Sequence, residues 1–448
     1  MKKIIGKKIL CAGIALCMLV SATGCGAKEN STDLMTGIKE EEKESISTET
    51  ANMVSESAES ESVDFGSLEN STDNGATLAQ ADAASVTDFA VRLFQQSLEE
   101  DKNTLISPLS VISALGMTAN GAEGDTLAQM EQTFGIAVPE LNEYLCAYRE
   151  ALPEEDTYKL SMANAIWFRD VESFTVKEEF LQTNANYYDA AVRKAPFDQS
   201  TLEEINKWVS DNTDGMIKDI LNEISQDAVM YLVNALAFDA EWETIYYDYQ
   251  VRDAEFTKED GTVQDIELMY SEENAYLEDD NAVGFMKYYD DRKYAFVALL
   301  PDEEISVSEY VELLTGEKIH SMLTDVSYRT VNAAIPKFES EYSVEMAEVL
   351  AAMGMTDAFD EDKADFSGMG HSENGNLYIS RVLHKTFIAV DEKGTKAGAA
   401  TLVEVAECCA MLEEEPVTIY LDRPFVYMIV DCEENVPVFI GVVRSIDE

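Results

Sequence analysis

Two adjacent cysteines, Cys408 and Cys409, form the most reactive pair of side chains in the sequence. A cysteine acts as a nucleophile only when a neighbouring base or positive charge favours its thiolate. The chain has three histidines, His320, His371 and His384, and nothing in their spacing places one beside the pair. The sequence therefore disfavours a catalytic thiol. Two interpretations remain open: a strained disulfide that acts as a redox switch, and two small residues in an exposed loop.

The cysteine pair lies in the stretch DEKGTKAGAATLVEVAECCAMLEEEP, residues 391–416, which follows an apolar run typical of a buried strand. If the part after Gly394 forms a strand, its side chains alternate between two faces. One face carries only small or β-branched uncharged residues, namely Thr395, Ala397, Ala399, Thr401, Val403 and Val405. The opposite face carries both charges, in the set Lys396, Gly398, Ala400, Leu402 and Glu404. The pattern predicts a segment that can enter a buried sheet, with Gly394 as its pivot.

The N-terminus, MKKIIGKKILCAGIALCMLVSATGC, has a basic region, a short apolar run and then small residues. This order is typical of an export signal, and the apolar run is too short for a comfortable membrane span. Residues 22–25, ATGC, resemble the lipobox of bacterial lipoproteins, in which the cysteine receives a diacylglycerol and becomes the new N-terminus. The resemblance implies a signal peptide at residues 1–24, lipidation of Cys25 and an exported lipoprotein anchored at the bacterial cell surface. Ordinary signal cleavage is the alternative.

Residues 25–80 are predicted to be the lipidated cysteine followed by a disordered, acidic tether rich in Ser, Thr and Glu. From residue 26 to 80 the tether has three Lys and thirteen Asp or Glu, which gives a charge of −10. Removing this and the +4 of the signal from the net charge of −55 leaves −49 on the body, residues 81–448. Such a charge disfavours nucleic acid and anionic membrane surfaces as partners, and it favours a cationic partner.

The body mixes helix and strand patterns without an internal repeat or a second linker, so we predict one α+β domain. Helices are expected around Val86–Phe94, from Pro108 to Asn120 and over Leu202–Asn212. Strands are expected at Val229–Phe238, Tyr294–Leu300, Val331–Ile335, Leu377–Val390, Val426–Val430 and Val438–Val443. The spacing of the cysteines matches no zinc pattern, and no metal or cofactor is predicted; Cys146 and Cys432 are interpreted as small apolar residues.

Several long motifs of the body resemble the serpins. They are SPLSVISALGMTANGAEGDTLAQM from Ser107, INKWVSDNTDGMIKDIL from Ile205, YLVNALAFDAEW from Tyr231, IPKFESEYSVEMAEVLAAMGMTDAFDEDKADFSGM from Ile335, LYISRVLHKTFIAVDEKGTKAGAAT from Leu377 and DRPFVYMIVD from Asp422. They follow the family's order across essentially the whole body. Three departures are modest: Met216 where lysine is usual, Arg423 where histidine is commoner, and Gly398 within the alanine run.

The resemblance implies the serpin fold: a large, mainly antiparallel central sheet with further sheets, about eight to nine helices and an exposed reactive-centre loop at about 392–415. It also implies an inhibitor of serine proteases rather than an enzyme. The loop acts as bait, is cleaved and inserts into the main sheet while the protease is still attached through its acyl-enzyme bond. The family's loop length places the cleaved bond between Cys408 and Cys409, with Ala406–Glu407 and Met411–Leu412 as alternatives.

The resemblance assigns further residues to serpin regions. The loop hinge is Glu392, Gly394, Thr395, Ala397, Ala399, Ala400 and Thr401. Ser107, Ser110, Asn234 and His384 are assigned to the polar cluster beneath the opening sheet, called the shutter, rather than to a hydrolase triad. Trp242 is assigned to the top of the sheet, where the hinge enters, called the breach; Trp208 is interpreted as core.

A small residue at Cys408 predicts an elastase-like serine protease as target, and the negative body favours a cationic enzyme. The covalent partner is then this protease, the membrane is contacted through the lipid alone, and the chain is expected to be a monomer. Three alternatives are open: a papain-like cysteine protease as target, a non-inhibitory serpin with a binding or structural role, and a hydrolase. The uncharged hinge residues favour an inhibitor over a non-inhibitory serpin. The scattered histidines disfavour a hydrolase.

Overall fold

The computed structural model describes residues 32–33, 72–152, 158–290, 292–395 and 415–446. The described ranges contain nine α-helices: α1 (Thr72–Ser97), α2 (Pro108–Ala119), α3 (Gly124–Phe134), α4 (Val138–Glu150), α5 (Glu178–Tyr188), α6 (Gln199–Asn212), α7 (Val307–Leu313), α8 (Gly316–Thr324) and α9 (Ala347–Ala352).

The strands of the first half of the chain are β1 (Thr32–Asp33), β2 (Thr104–Ile106), β3 (Tyr158–Arg169), β4 (Phe174–Val176), β5 (Ala191–Ala195), β6 (Met230–Glu241), β7 (Val251–Thr257), β8 (Val263–Glu278) and β9 (Ala282–Tyr288). Those of the second half are β10 (Tyr294–Pro301), β11 (Ser327–Pro336), β12 (Phe338–Glu345), β13 (Gly370–Ser372), β14 (Leu383–Val390), β15 (Gly394–Thr395), β16 (Val417–Tyr420), β17 (Phe425–Asp431) and β18 (Val436–Val443).

The strands form two large sheets and one small one. Sheet A has the order β1-β5-β3-β6-β15-β14-β12, and all its pairs are antiparallel except β3 with β5. Sheet B has the order β16-β11-β8-β9-β10-β17-β18-β2, with β7 added beside β8, and β13 pairs with β4. The predicted α+β class with a mainly antiparallel central sheet is confirmed.

Helix α2 lies between the two sheets, where it packs against β6 of sheet A and β18 of sheet B. Its sequence is apolar nearly all round, as expected for a helix with both sides covered. The helix starts where predicted: the Ser107 hydroxyl accepts a hydrogen bond from the Ser110 N–H at 3.4 Å, and Pro108 occupies the first turn. The strands β10, β17 and β18 are buried along their whole length, which explains their continuous apolar runs.

The predicted helices and most predicted strands are confirmed, but the strand expected over residues 377–390 begins only at Leu383. The residues before it have hydrogen-bond partners outside any ladder. The Ile379 N–H donates to the Ala358 carbonyl at 2.9 Å, and the Val382 N–H donates to the Glu345 carboxylate at 2.6 Å. Of residues 377–382 only Leu377 is buried, and these bonds use backbone donors that a ladder with a neighbouring strand would need.

Two elements fall within the predicted tether. β1, at Thr32–Asp33, pairs with Arg193 and Lys194 at the edge of sheet A. Helix α1 begins at Thr72, so the predicted boundary at residues 80 and 81 lies inside a helix. In the ranges that the structure describes, no helix combines the length and apolar character needed to cross a membrane.

Candidate functional site

A slot between β6 and β14 is the main candidate site, and the two-residue strand β15 fills its top. Gly394 pairs with Glu241, and Thr395 pairs with Ala240 on one side and Val390 on the other. Among the described strands, β6 and β14 are joined within sheet A only through β15. The slot thus holds one short strand at its top, and below it no described strand lies between β6 and β14.

Beneath β15 the slot opens into a cavity of about 810 Å³. Its walls come from β6, from β14 and the segment before it, and from α2. All four residues assigned to the shutter, Ser107, Ser110, Asn234 and His384, line it. The four residues assigned to the shutter are far apart in the chain, and they line one cavity from α2, β6 and β14.

The slot requires glycine at residue 394. A Cβ atom at this position would lie 2.0 Å from the Ala240 carbonyl oxygen and 2.9 Å from the Glu241 Cα atom. Both of these atoms belong to the backbone of β6, which cannot move aside without breaking its own ladder. Gly394 therefore permits a close approach of two backbones.

Thr395 is buried, with 1% of its surface exposed, so the predicted inward face of the hinge is inward at its first residue. Its hydroxyl lies 2.5 Å from the Tyr289 hydroxyl. The Tyr289 ring stacks on the Trp242 indole, with centroids 4.5 Å apart. The Thr395 hydroxyl is thus bonded by Tyr289, whose ring is in turn held by the Trp242 indole.

Trp242 lies at the top of the slot and binds the hinge through its backbone and its ring. Its N–H donates to the Lys393 carbonyl at 2.7 Å, and its indole Nε1–H donates to the Asp391 carbonyl at 2.9 Å. The Tyr246 N–H donates to the carbonyl between these two, that of Glu392, at 2.8 Å. Three consecutive hinge carbonyls therefore have partners at the breach.

An ion pair ties the hinge to Lys337, the residue between β11 and β12. Lys337 lies 2.9 Å from the Glu392 carboxylate and 3.1 Å from that of Glu267. Partial burial raises the pKa of Glu392, but the hydrogen bonds from Lys337 and from the Glu392 backbone N–H, together with the Lys337 charge, outweigh it and lower the pKa. Because about a third of each side chain is exposed, solvent screens this pair and its contribution to stability is small.

A buried charge lies behind the breach. The Lys287 ammonium donates to the Glu273 carboxylate at 2.9 Å and to the Thr244 carbonyl at 3.1 Å. It also lies 5.5 Å from the centre of the Trp242 ring and 4.5 Å from that of Tyr246. The buried, paired ammonium therefore contacts the aromatic rings of both residues that bond the hinge carbonyls, and it fixes these rings in place.

At the level of the cavity, His384 accepts a hydrogen bond at Nε2 from the Ser107 backbone N–H at 3.0 Å. The Ser107 hydroxyl donates elsewhere, to the Val438 carbonyl at 2.9 Å. In a hydrolase triad the imidazole would instead accept the hydroxyl proton. Ser107 and His384 therefore join β14, α2 and β18 rather than forming a nucleophile–base pair.

Asn234 faces the cavity from β6. Its Nδ2 donates to Asn164 Oδ1 on the neighbouring strand β3 at 2.9 Å, and Asn164 donates to the Tyr188 carbonyl. The Asn234 Oδ1 atom is buried and has no hydrogen-bond partner among the described residues. A buried amide oxygen of this kind is an acceptor available to a donor that enters the slot.

The remaining predicted site residues lie outside the described residues. They are the reactive-bond pair Cys408 and Cys409, the hinge residues Ala397, Ala399, Ala400 and Thr401, and the lipidation site Cys25. Their roles stay predictions. Cys146 and Cys432 are free thiols, and Trp208 packs edge-on against Trp167 at 5.4 Å. Within the part of the chain that the structure describes, no cluster of three His, Cys, Asp or Glu side chains is arranged to hold a metal.

Sequence reasoning missed Asn164, Tyr289, Lys287 and Lys337. One signal was available for Asn164, because a polar residue stands within the strand pattern of SMANAIWF just as Asn234 does within YLVNALAF. The two residues lie opposite each other in the register of β3 and β6. The others become visible only when distant strands are placed side by side.

The comparisons with known proteins agree with this geometry. A family model described as "Serpin (serine protease inhibitor)" matches residues 84–446. An uncharacterised serpin-like protein of Thermococcus kodakarensis is 31% identical over 80% of this chain and 84% of its own length. The leukocyte elastase inhibitor of Xenopus laevis is 31% identical over 78% of this chain and 94% of its own.

Among solved structures, the thermophilic serpin tengpin in its native state superposes with a TM-score of 0.77 and 44% identity. The match covers 93% of this chain and all of that one. Similarity therefore extends over the complete body, including the strands that form the slot.

The buried imidazole predicts a specific pH dependence of stability. Burial lowers the pKa of His384 from 6.5 to about 4. Between these values the unfolded chain binds a proton that the folded chain excludes, so stability falls as the pH decreases, by up to roughly 3 kcal/mol. In His384→Gln, whose amide oxygen keeps an acceptor for Ser107, this part of the pH dependence should disappear. Urea midpoints of both proteins at pH 7 and pH 4.5 measure it; an equal change in both would contradict the assignment.

Gly394→Ala should displace the hinge from the slot, because its Cβ would overlap the Ala240 carbonyl oxygen. We expect a loss of roughly 1–3 kcal/mol in stability, seen as a lower thermal midpoint, and faster proteolysis near residue 394. Lys393→Ala changes an exposed neighbour and is the control. If both variants melt like the parent, the close approach is not important for the hinge.

Proposed function

The chain belongs to the serpin family, and we propose that it is an inhibitor of the suicide-substrate type, which traps serine proteases outside the cell. One observation carries the proposal: the hinge already occupies the top of a strand position between β6 and β14 that no other described strand fills. A chain released by cleavage can extend this strand downward, because backbone partners flank it on both sides.

The register of β15 predicts how far the strand would extend. Thr395 pairs with Ala240, so continuing antiparallel to β6 brings Val405 opposite Met230, the first residue of that strand. The alternation that buries Thr395 also directs Ala397, Ala399, Thr401, Val403 and Val405 inward. The small uncharged face of the loop therefore has the length of the slot.

The same register brings Thr401 between Asn234 and His384, since Thr395 lies between Ala240 and Val390. Asn234 Oδ1 is the buried acceptor without a partner among the described residues. A threonine hydroxyl that arrives here can donate to it and satisfy a polar atom that is costly to leave unpaired. This bond would stabilise the inserted state alone.

The chemical step uses the target's own catalytic machinery. The protease serine oxygen attacks the Cys408 carbonyl carbon, the peptide bond to Cys409 breaks, and the departing amine takes the serine's proton. An ester then joins the protease to the loop, and insertion competes with hydrolysis of this ester. Insertion before hydrolysis traps the enzyme.

The small Cys408 side chain favours an elastase-like enzyme, and the charge of −49 on the body favours a cationic one. We propose lipidation of Cys25 and display at the bacterial cell surface from the sequence of the N-terminus. Membrane contact is then made through the lipid, and the folded body acts as a monomer.

A non-inhibitory serpin with a binding role is the second candidate function, since family membership alone fits both. An uncharged inward face favours inhibition. A panel of elastase-like, chymotrypsin-like, trypsin-like and papain-like proteases distinguishes the two. A denaturant-stable complex and a released peptide that begins at Cys409 support inhibition at the proposed bond, whereas cleavage by every enzyme without a complex would refute inhibition.

Thr395→Arg should convert the inhibitor into a substrate. The inserted arginine would be buried beside Tyr289 without a counter-charge, and each 1.4 kcal/mol of added barrier slows insertion about tenfold. The protease is then released, and the stoichiometry of inhibition rises. Lys393→Arg introduces the same side chain at an exposed hinge position and is the control. Full inhibition by Thr395→Arg would disprove insertion.

Thr401→Val should weaken the cleaved form but not the native form. Loss of the Thr401 hydroxyl leaves Asn234 Oδ1 without a donor after insertion, which costs the cleaved form about 1 kcal/mol of stability. The control variant Thr401→Ser keeps the hydroxyl. Thermal midpoints of native and loop-cleaved protein measure the difference. Equal midpoints of the cleaved parent and the cleaved Thr401→Val variant would show that the register differs from the one proposed.

A further inference from the structure

An exposed pair of tyrosines lies next to the hinge. Tyr249 is 72% exposed and Tyr247 is 38% exposed, and their rings stack with centroids 5.8 Å apart and planes 5° from parallel. Stacking holds both rings in one orientation, so little conformational freedom remains to be lost on binding. Rigid exposed tyrosines are the side chains that supply contact area most economically at protein interfaces.

One side of the tyrosine pair lies next to the start of the reactive loop. Tyr246, directly before the pair, donates its N–H to the Glu392 carbonyl at 2.8 Å. On the other side, the Tyr247 N–H donates to the Gln250 side chain, whose Nε2 donates to the Tyr270 carbonyl, both at 3.0 Å. The pair is therefore fixed between the hinge and strand β8.

Beyond Gln250, Tyr270 contacts the strand that follows the loop. The Tyr270 ring meets the Tyr420 ring edge-on, with centroids 5.3 Å apart, and Arg252 lies over Tyr270 at 5.0 Å. Tyr420 ends β16, the first strand after the loop. We call Tyr247, Tyr249, Tyr270, Tyr420 and Arg252 the tyrosine surface; it connects the two points at which the loop joins the body.

The reach of the loop brings a bound protease to this surface. The proposed bond lies eight residues before Val417, so a fully extended chain holds it within about 29 Å of β16. A protease of about 230 residues has a radius of gyration of about 17 Å and extends further. An enzyme seated on this bond is therefore within reach of the body's surface near the base of the loop.

The charge around the surface indicates what kind of protease fits. Asp248, Asp253 and Glu255 are exposed and lie beside or between the tyrosine surface's own residues in the chain. Aromatic contact area with an acidic rim is complementary to an enzyme surface that carries arginine and lysine, because both stack on or pair with these groups.

From these contacts we propose that the tyrosine surface is a second docking site for the target protease, so that residues outside the loop contribute to its selection. The inference rests on the proposed inhibitory function. The occupant is the body of a cationic serine protease already bound at the loop. Docking here strengthens the first, non-covalent complex and leaves strand insertion unchanged.

The test is a binding measurement with neutrophil elastase whose catalytic serine is replaced by alanine, so that neither cleavage nor insertion occurs. The dissociation constant of the double variant Tyr247→Ser, Tyr249→Ser should rise about ten- to a hundredfold over that of the parent. Leu313→Ser is the control, because Leu313 is 44% exposed, ends α7 and lines neither the cavity nor the tyrosine surface. The control should bind like the parent.

Active elastase separates the outcomes. In the double variant the association rate should fall while the stoichiometry of inhibition and the thermal midpoint stay those of the parent. If the parent traps elastase and the double variant binds it equally well, the docking site is refuted and the inhibitory function stands. If the parent traps no enzyme of the panel, the proposed function fails and this inference fails with it. Concentration-dependent dimers of the parent that the double variant lacks would assign the surface to a second copy instead, and overturn the proposal.

Discussion

Backbone hydrogen bonding along the slot constrains the whole molecule. Strands β6 and β14 lie on either side of a position that β15 fills over two residues, and the described strands have no other ladder between them. Backbone donors and acceptors of a sheet are stabilised when they are paired, so a chain that could complete the sheet would lower its free energy.

The polar contacts divide between the two ends of this position. At the top, Trp242 and Tyr246 hold three hinge carbonyls, and Lys287 holds the two aromatic side chains from behind. Lower down, His384 and Ser107 tie β14 to α2. These groups keep the borders of the slot in register, where β15 is the only described strand between β6 and β14. A buried ammonium is costly unless it is paired, and Lys287 is paired with Glu273.

The sequence was sufficient for much of this arrangement and insufficient for the rest, for physical reasons. The alternation after Gly394 predicted that Thr395 is buried, because burial follows the strand period and needs no knowledge of neighbours. Asn234 and His384 were assigned to one region through family motifs. Tyr289 and Lys287 were not found, because their importance comes from strands paired across a long stretch of chain. The strand predicted from residue 377 begins only at Leu383, because an apolar pattern specifies neither the burial nor the backbone partner of each residue before it.

The position of Trp242 allows the slot to be followed by tryptophan fluorescence. Of the three tryptophans in the chain, Trp167 and Trp208 pack against each other in a separate part of the core. Trp242 alone stacks on Tyr289, which contacts Thr395, and lies over the Lys287 ammonium. Indole emission responds to nearby charge and to the packing of its ring. The molecule therefore contains an intrinsic fluorophore at the point where a new strand would enter, and two others at a distance that serve as an internal reference.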